Sequence, residues 1–182
     1  MTFDDHLLRT FREALAAIPA ADAPDVYAIS FLIGHQDNNR RKPTITIGYN
    51  TESQVKRALE HATECRPGPA EARWNYAWWL HSDLAVIGDS ARDPEGAAHI
   101  TQWINDAPEF RENPEQVTTR FVRNFARFAH SLQEVGLIER AIGHRAPVLI
   151  HGLGYSEQTA RQTEAANPPG LADDFAAWVR NK

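Results

Sequence analysis

The strongest constraint on the fold is a long apolar stripe in the second half of the chain. Between Pro114 and Val135, apolar side chains recur every three or four residues, and Gly136 follows where a helix should end. The stripe consists of Val117, Phe121, Phe125, Phe128, Leu132 and Val135. An amphipathic helix must bury such a face against another layer of structure. The chain is therefore expected to form a layered, globular fold.

The first half of the chain supplies strands for that layer. Residues 25–34 and 44–49 are rich in β-branched and aromatic residues, and the polar loop of residues 35–42 between them is only eight residues long, which favours an antiparallel pair. Residues 84–87 form either a short strand or a buried turn, and residues 147–151 read as a late strand. We predict an α+β fold in which a small, mostly antiparallel sheet packs against several helices, with a helix-rich C-terminal half.

Residues 1–182 are predicted to form one globular domain. The chain is 42% hydrophobic and 24% charged, which is typical of a soluble domain of this length with one sizeable core. No repeat or interdomain linker interrupts it. Besides the long stripe, helices are predicted at residues 3–18, 51–64, 97–105, 137–142, 156–166 and 169–180.

Several features of the composition favour a cytosolic protein. The single cysteine, Cys65, has no second cysteine for an internal disulfide, and the N-terminus is acidic where a signal peptide is basic. No apolar run approaches the ~20 residues of a membrane-spanning helix. The net charge of −5 disfavours direct nucleic-acid binding and allows a basic protein partner.

The sequence contains no recognisable catalytic or metal-binding motif. The histidines show none of the close spacings that are typical of zinc sites, and Cys65 has no histidine nearby. Residues 148–154 resemble the His-Gly turn of α/β-hydrolases, but the serine elbow and the later histidine of those enzymes are missing. We therefore predict no catalytic residue, no metal and no cofactor.

Aromatic side chains are concentrated between residues 73 and 80, at Trp74, Tyr76, Trp78 and Trp79. Together they present more apolar surface than a monomer normally exposes in one patch. The block is therefore core, or it lies under a partner, and core is the favoured alternative. Its spacing fits a strand and a helix equally, and we favour a short helix or turn.

Four motifs in order resemble an uncharacterised bacterial family, a domain of unknown function. They are Val26-Tyr-Ala-Ile-Ser-Phe31, Tyr49-Asn-Thr-Glu52, Arg73-Trp74 with Trp78, and Asn167-Pro168. The family carries the corresponding patterns I-Y-A-F, A-N-T-E-E, R-W-S-P-x-E-W and N-P, so the resemblance spans nearly the whole chain. Here Asn75-Tyr76-Ala77 replaces the Ser-Pro and acidic positions before the second Trp, so any role of that acidic residue in the family does not carry over to this chain.

The resemblance implies a non-enzymatic role. Members of the family look like proteins encoded beside secreted polymorphic toxins, where small acidic proteins act as immunity factors. The chain is accordingly expected to be a protein-binding module, a cytosolic immunity protein that neutralises a cognate toxin by occluding it. In such a complex, charge complementarity sets the association rate and a few buried anchors set the affinity.

Acidic and aromatic residues are the candidates for contact with such a partner. They are Glu52, Glu60, Glu64, Trp74, Tyr76, Trp79, Asp89 and Asp93.

Two other functions remain open. One is a small enzyme or ligand-binding domain with a pocket near the Trp block and His81, His151 or Tyr155. The other is a scaffold or regulatory domain that forms a homodimer through an aromatic patch.

Overall fold

A mixed four-stranded sheet forms the centre of the protein. The computed structural model describes residues 2–61, 66–113 and 115–182. The strands are β1 (Val26–His35), β2 (Pro43–Thr51), β3 (Ala85–Ile87) and β4 (Val148–His151). Their order is β3-β2-β1-β4, with β1–β2 and β2–β3 antiparallel and β1–β4 parallel. The predicted α+β fold and the antiparallel pair of early strands are confirmed.

Helices surround this sheet and dominate the C-terminal half, as predicted. They are α1 (Phe3–Ala16), α2 (Glu52–His61), α3 (Pro69–Trp74), α4 (Pro94–Asn105), α5 (Glu109–Glu112), α6 (Glu115–Glu134), α7 (Leu137–Ile142), α8 (Glu157–Ala166) and α9 (Asp173–Arg180). The predicted helix start at Pro114 and the predicted end at Glu64 lie outside the described residues. Within the described part of the chain, no helix is both long and apolar enough to cross a membrane.

The sheet has a core on each face. Because side chains alternate along a strand, Ile29 and Phe31 of β1 lie in the larger core, together with α1, α4 and α6. Ala28, on the opposite face, lies in the smaller core with residues of α8 and α9 and with the Trp block. The Phe31 ring contacts Phe11 of α1 and Phe125 of α6, at centroid distances of 5.8 and 6.3 Å. The stripe of α6 therefore faces the sheet, as its spacing predicts.

Polar side chains of the α8 region cover the free edge of β4. The Val148 N–H donates to Asn167 Oδ1 at 2.8 Å, and Asn167 Nδ2 donates to the Val148 carbonyl at 2.8 Å. The Ile150 N–H donates to Thr163 Oγ1 at 3.0 Å, and the Thr163 hydroxyl donates to the Ile150 carbonyl at 3.2 Å. Buried backbone groups need such partners. These side chains take the place of a further strand.

We expect Asn167→Ala to lower the free energy of unfolding by about 2–4 kcal/mol, because it leaves two buried backbone groups of Val148 unpaired. Urea titration followed by circular dichroism measures this loss. Asn181→Ala is the matched control, since it removes an exposed asparagine that bonds only to the Ala177 carbonyl. Equal stabilities of the two variants would contradict the proposed role of Asn167.

Candidate functional site

The Trp block is a short helix followed by a single 3-10 turn, as favoured from its sequence. The Arg73 carbonyl accepts hydrogen bonds from the Tyr27 hydroxyl and, at 2.8 Å, from Trp79 Nε1. The Arg73 guanidinium lies 4.2 Å from the Tyr27 ring centroid and donates twice to the Glu52 carboxylate, at 2.7 Å each. A bidentate pair of this kind fixes geometry as well as charge. The block is thereby anchored to β1 and to α2.

Two of the predicted contact residues, Trp74 and Trp79, lie in the smaller core. They are 7% and 3% exposed. Edge-to-face ring contacts place Trp74 against Tyr27 and Phe175, at centroid distances of 5.5 and 5.8 Å. Neither indole is available to a partner in this structure, because both fill the space between β1 and α9. These two residues of the block are core, the alternative favoured from the sequence, whereas Tyr76 and Trp78 are only partly buried.

Tyr76, by contrast, is only half-buried and faces a cluster of polar aromatic residues. Its backbone N–H donates to the Tyr155 hydroxyl at 2.8 Å. Its ring lies 5.1 Å from the His81 ring and 5.2 Å from the His151 ring. The structure therefore brings together the residues named for a pocket near the Trp block.

Beneath Tyr76, a buried serine–histidine pair joins β1 to β4. His151 has no exposed surface, and its Nε2 lies 2.9 Å from the Ser30 hydroxyl oxygen. Its Nδ1 lies 3.1 Å from the Gly152 carbonyl, which only accepts, so Nδ1 carries the proton and Nε2 accepts from Ser30. Burial lowers the pKa of His151 to about 4. Because Ser30 is also buried, this pair stabilises the sheet and does not face a substrate.

The predicted acidic residues have different environments. Glu52 is bound to Arg73, and exposed Glu60 lies 4.0 Å from Lys56 on the same helix. Asp89 accepts hydrogen bonds from the backbone N–H groups of residues 91 and 92, at 2.9 and 3.0 Å, and so closes a turn. Glu64 lies outside the described residues.

Asp93 is a buried structural residue. Its two carboxylate oxygens accept from the N–H groups of Gly88 and Gly96, at 2.9 and 3.0 Å. Oδ1 also lies 3.0 Å from Nε2 of buried His6. Asp93 thus caps α4, and it links this helix to α1, where His6 lies. All of its contacts lie inside the fold, so it presents little surface to a partner.

A polar cleft of about 530 Å³ opens beside the block, at the end of β2. Four chain segments line it: the loop before β1, the end of β2, the first turns of α2 and the loop after the Trp block. Its titratable side chains are Asp22, Asp25, Tyr49, Arg57 and His81. We call these five residues and the space between them the polar cleft.

The two carboxylates of the polar cleft are each held through one oxygen. The Tyr49 hydroxyl donates to Asp22 Oδ2 at 2.6 Å, and the Ser53 N–H donates to Asp25 Oδ2 at 2.9 Å. Burial, together with the hydrogen bond to Asp22, raises the pKa of Tyr49 to about 12, so the phenol keeps its proton at neutral pH. Among the described residues, no donor reaches the second oxygen of either carboxylate. Both are free to accept a hydrogen bond from a ligand.

This arrangement fits an ammonium or guanidinium group. Two fixed carboxylates with free oxygens form charge-assisted hydrogen bonds with such a cation. Arg57 also lines the cleft, and it has no ion pair with any described carboxylate. The cleft therefore carries both signs of charge.

Asp22 and Asp25 were not among the residues predicted from the sequence. They flank Pro24 in the turn just before β1, where an acidic pair serves equally well as a turn former. The feature of the sequence that points to them is their position in a loop next to a strand, since loops next to a rigid sheet often carry functional residues. Their meeting with Arg57 and His81 depends on contacts across the chain that spacing does not reveal.

Comparisons of the chain with family models, with curated proteins and with solved structures found no match. The interpretation of the site therefore rests on its own geometry. Over residues 2–61, 66–113 and 115–182, no group of three or more His, Cys, Asp or Glu side chains is placed to hold a metal ion.

We expect acid to destabilise the protein through His151. Its pKa is about 4 when folded and 6.5 when exposed, so the unfolded chain binds the proton more tightly. The contribution of neutral His151 to the free energy of unfolding is intact above pH 6.5. It falls by about 3 kcal/mol when the pH drops to 4. Urea titrations from pH 7 to pH 4 should show a shallower loss of stability for His151→Asn than for the wild type.

His81→Asn is the control, because it removes an imidazole from an exposed position. Carboxylates titrate in all three proteins, so the difference between slopes isolates His151. Parallel pH profiles for the wild type and His151→Asn would show that His151 is not held neutral in the fold.

Proposed function

We propose that this protein is a non-enzymatic protein-binding module whose polar cleft receives a basic side chain of its partner. More specifically, we propose a cytosolic immunity protein that neutralises a cognate secreted toxin by occlusion. The observation that carries the proposal is the pair Asp22 and Asp25. Both residues line the open cleft, and each has one oxygen fixed by the fold and a second oxygen that no described donor contacts.

The surface next to the cleft supports this proposal. On α2, Ser53 and Arg57 line the cleft, and Glu60 follows on the same helical face three residues later. Glu60 is exposed and is held only by a long contact with Lys56. The face of α2 that leads away from the cleft thus carries one basic and one acidic side chain, and the acidic one, Glu60, is a contact residue predicted from the sequence.

The proposed inhibition needs no chemistry by this chain. A toxin domain that acts on an anionic substrate carries basic side chains in its active site, and the carboxylates of the polar cleft would engage one of them. The net charge of −5 accelerates encounter with such a surface. The resemblance to immunity proteins adds to this argument.

A second candidate function follows from Arg57. The cleft volume of about 530 Å³ is in the range of small-molecule sites, and carboxylates and a guanidinium line the same space. That combination suits a small zwitterion, so the chain would be a ligand-binding domain. A thermal-shift screen with free amino acids tests this candidate, and stabilisation that disappears in Arg57→Ala would support it.

The immunity function is tested by growth. The proposal predicts a secreted toxin encoded beside this chain, and the C-terminal domain of that toxin is expressed in a test bacterium, with and without the chain. We expect growth arrest without the chain, rescue with it, and co-purification of the two proteins. A harmless neighbour, or failed rescue although both proteins are made, would overturn the immunity proposal.

The cleft is tested with the double variant Asp22→Asn/Asp25→Asn. The amide oxygens still accept from Tyr49 and Ser53, so the fold is kept while both charges are removed. We expect affinity for the toxin domain to fall by about 10- to 100-fold, as for loss of charge-assisted hydrogen bonds. Isothermal titration calorimetry measures this.

Glu139→Gln on α7 is the matched control, because it removes an exposed carboxylate outside the cleft. It should bind like the wild type. Rescue and affinity that are unchanged in the double variant would move the interface away from the cleft.

A further inference from the structure

A second surface, separate from the polar cleft, has no partner within the chain. α1 and α6 run side by side over the larger core and leave an apolar groove of about 630 Å³ between them. Its main apolar lining is Phe3, Leu7, Leu8, Phe128, Leu132 and Val135. A further cavity of about 310 Å³ adjoins it on the other side of Phe3. The groove and the polar cleft share no residue.

One end of the groove exposes a large apolar side chain. Val135 is 59% exposed, and among the described residues only Leu153, at 83%, is another large hydrophobic residue with high exposure. Leu153 does not line the groove. Contiguous apolar surface of this kind marks an interaction site more often than scattered single residues do.

α1 and α6 run in the same direction along the groove. Phe3, at the start of α1, lines one cavity together with Phe121 and Phe125. Phe11 lies about 12 Å further along α1, and its ring contacts Phe128 at 6.1 Å. α1 also contacts α7, which follows the end of α6. The two helices therefore follow the same chain order along the groove.

Charges on the two rims are complementary in that order. Along the α1 rim, Asp4, Leu8 and Arg12 lie at successive turns of the helix. An acidic, an apolar and a basic side chain therefore follow one another. The α6 rim carries Arg127 and then Glu134, which reads basic, then acidic. Each rim is therefore the electrostatic complement of the other.

These rim charges make few contacts inside the protomer. Over the described residues, Asp4 and Arg12 form no ion pair. Arg127 donates only to Asn124, at 2.5 Å. The contact of Glu134 is with the neighbouring His130 Nε2, at 3.6 Å. The four charges are available to a partner that covers the groove.

We propose that a second copy of this chain covers the groove. A two-fold axis parallel to the helices places α1 of each copy on α6 of the other. Asp4 then meets Arg127 of the second copy, and Arg12 meets Glu134 of the second copy. The interface is isologous, since the same four charges pair twice. The apolar linings of the two grooves meet between these pairs.

The size of the face sets the strength of the dimer. α1 and α6 are about 21 and 30 Å long, and two helices side by side are about 20 Å wide. Each copy therefore buries about 400–600 Å², at the low end for specific complexes. The dimer is accordingly reversible and forms with rising concentration.

Sedimentation velocity of the full chain at increasing concentrations tests this proposal. We expect a monomer–dimer equilibrium for the wild type and a monomer for Val135→Glu, which places a carboxylate in the apolar interface. Leu153→Glu is the matched control and should dimerise like the wild type. A wild type that stays monomeric into the high micromolar range, or equal behaviour of the two variants, overturns the proposal.

Charge reversal tests the two-fold arrangement. Asp4→Arg and Arg127→Asp should each weaken dimerisation about tenfold or more through like-charge contacts, and the double variant should restore it. Asp173→Arg, in the first turn of α9, controls for reversing an acidic residue at a helix start. Circular dichroism shows that each variant is folded. Single variants without effect, or a double variant without recovery, overturn this pairing.

Discussion

The placement of β4 at the edge of the sheet is the constraint on which the second face of the protein depends. β4 pairs with β1 on one side, and side chains of Asn167, Thr163 and Gln162 supply acceptors and donors to its outward-facing backbone groups. These bonds fix α8 on the edge, and α9 packs against α8. Phe175 of α9 in turn contacts Trp74. The Trp block is therefore positioned through the edge of β4, and the loop that carries His81 into the polar cleft follows directly from that block.

Buried and exposed polar groups have different roles in this structure. Two of the buried ones have both of their polar atoms engaged: Asp93 accepts from two backbone N–H groups, and His151 bridges Ser30 and Gly152. A buried polar group without a partner costs free energy, so these contacts specify the fold and do not signal function. Asp22 and Asp25 differ because each carboxylate has one oxygen held by the fold and one left for solvent. Pre-positioned groups of this kind bind a ligand with little further loss of side-chain freedom.

Local patterns in the sequence predict most of the helices and strands, because apolar spacing reports directly on which face of an element is buried. The stripe of α6 and the short loop between β1 and β2 are examples. The parallel pairing of β4 with β1 joins residues more than a hundred positions apart, and no local pattern encodes it. Trp74 and Asp93 show a second limit of prediction from sequence. An aromatic or acidic residue suits a core, a helix cap or an interface equally well, and only its neighbours in the fold decide which of these roles it has. The polar cleft was missed for the same reason, since Asp22, Arg57 and His81 meet only in the folded chain.

The groove and the polar cleft are two separate candidate binding surfaces on one small protein. In the proposed dimer, apolar burial would drive association through the groove and pairs of opposite charges would orient it, whereas the cleft would offer fixed carboxylates to a cation. Because the two share no residue, a dimer formed through the groove leaves both clefts accessible. A symmetric dimer would then present two identical cation-binding clefts, and a partner with two copies of the complementary surface would gain from simultaneous engagement. Partner binding at the cleft does not require this gain, so dimerisation through α1 and α6 would adjust avidity and leave the specificity of the cleft unchanged.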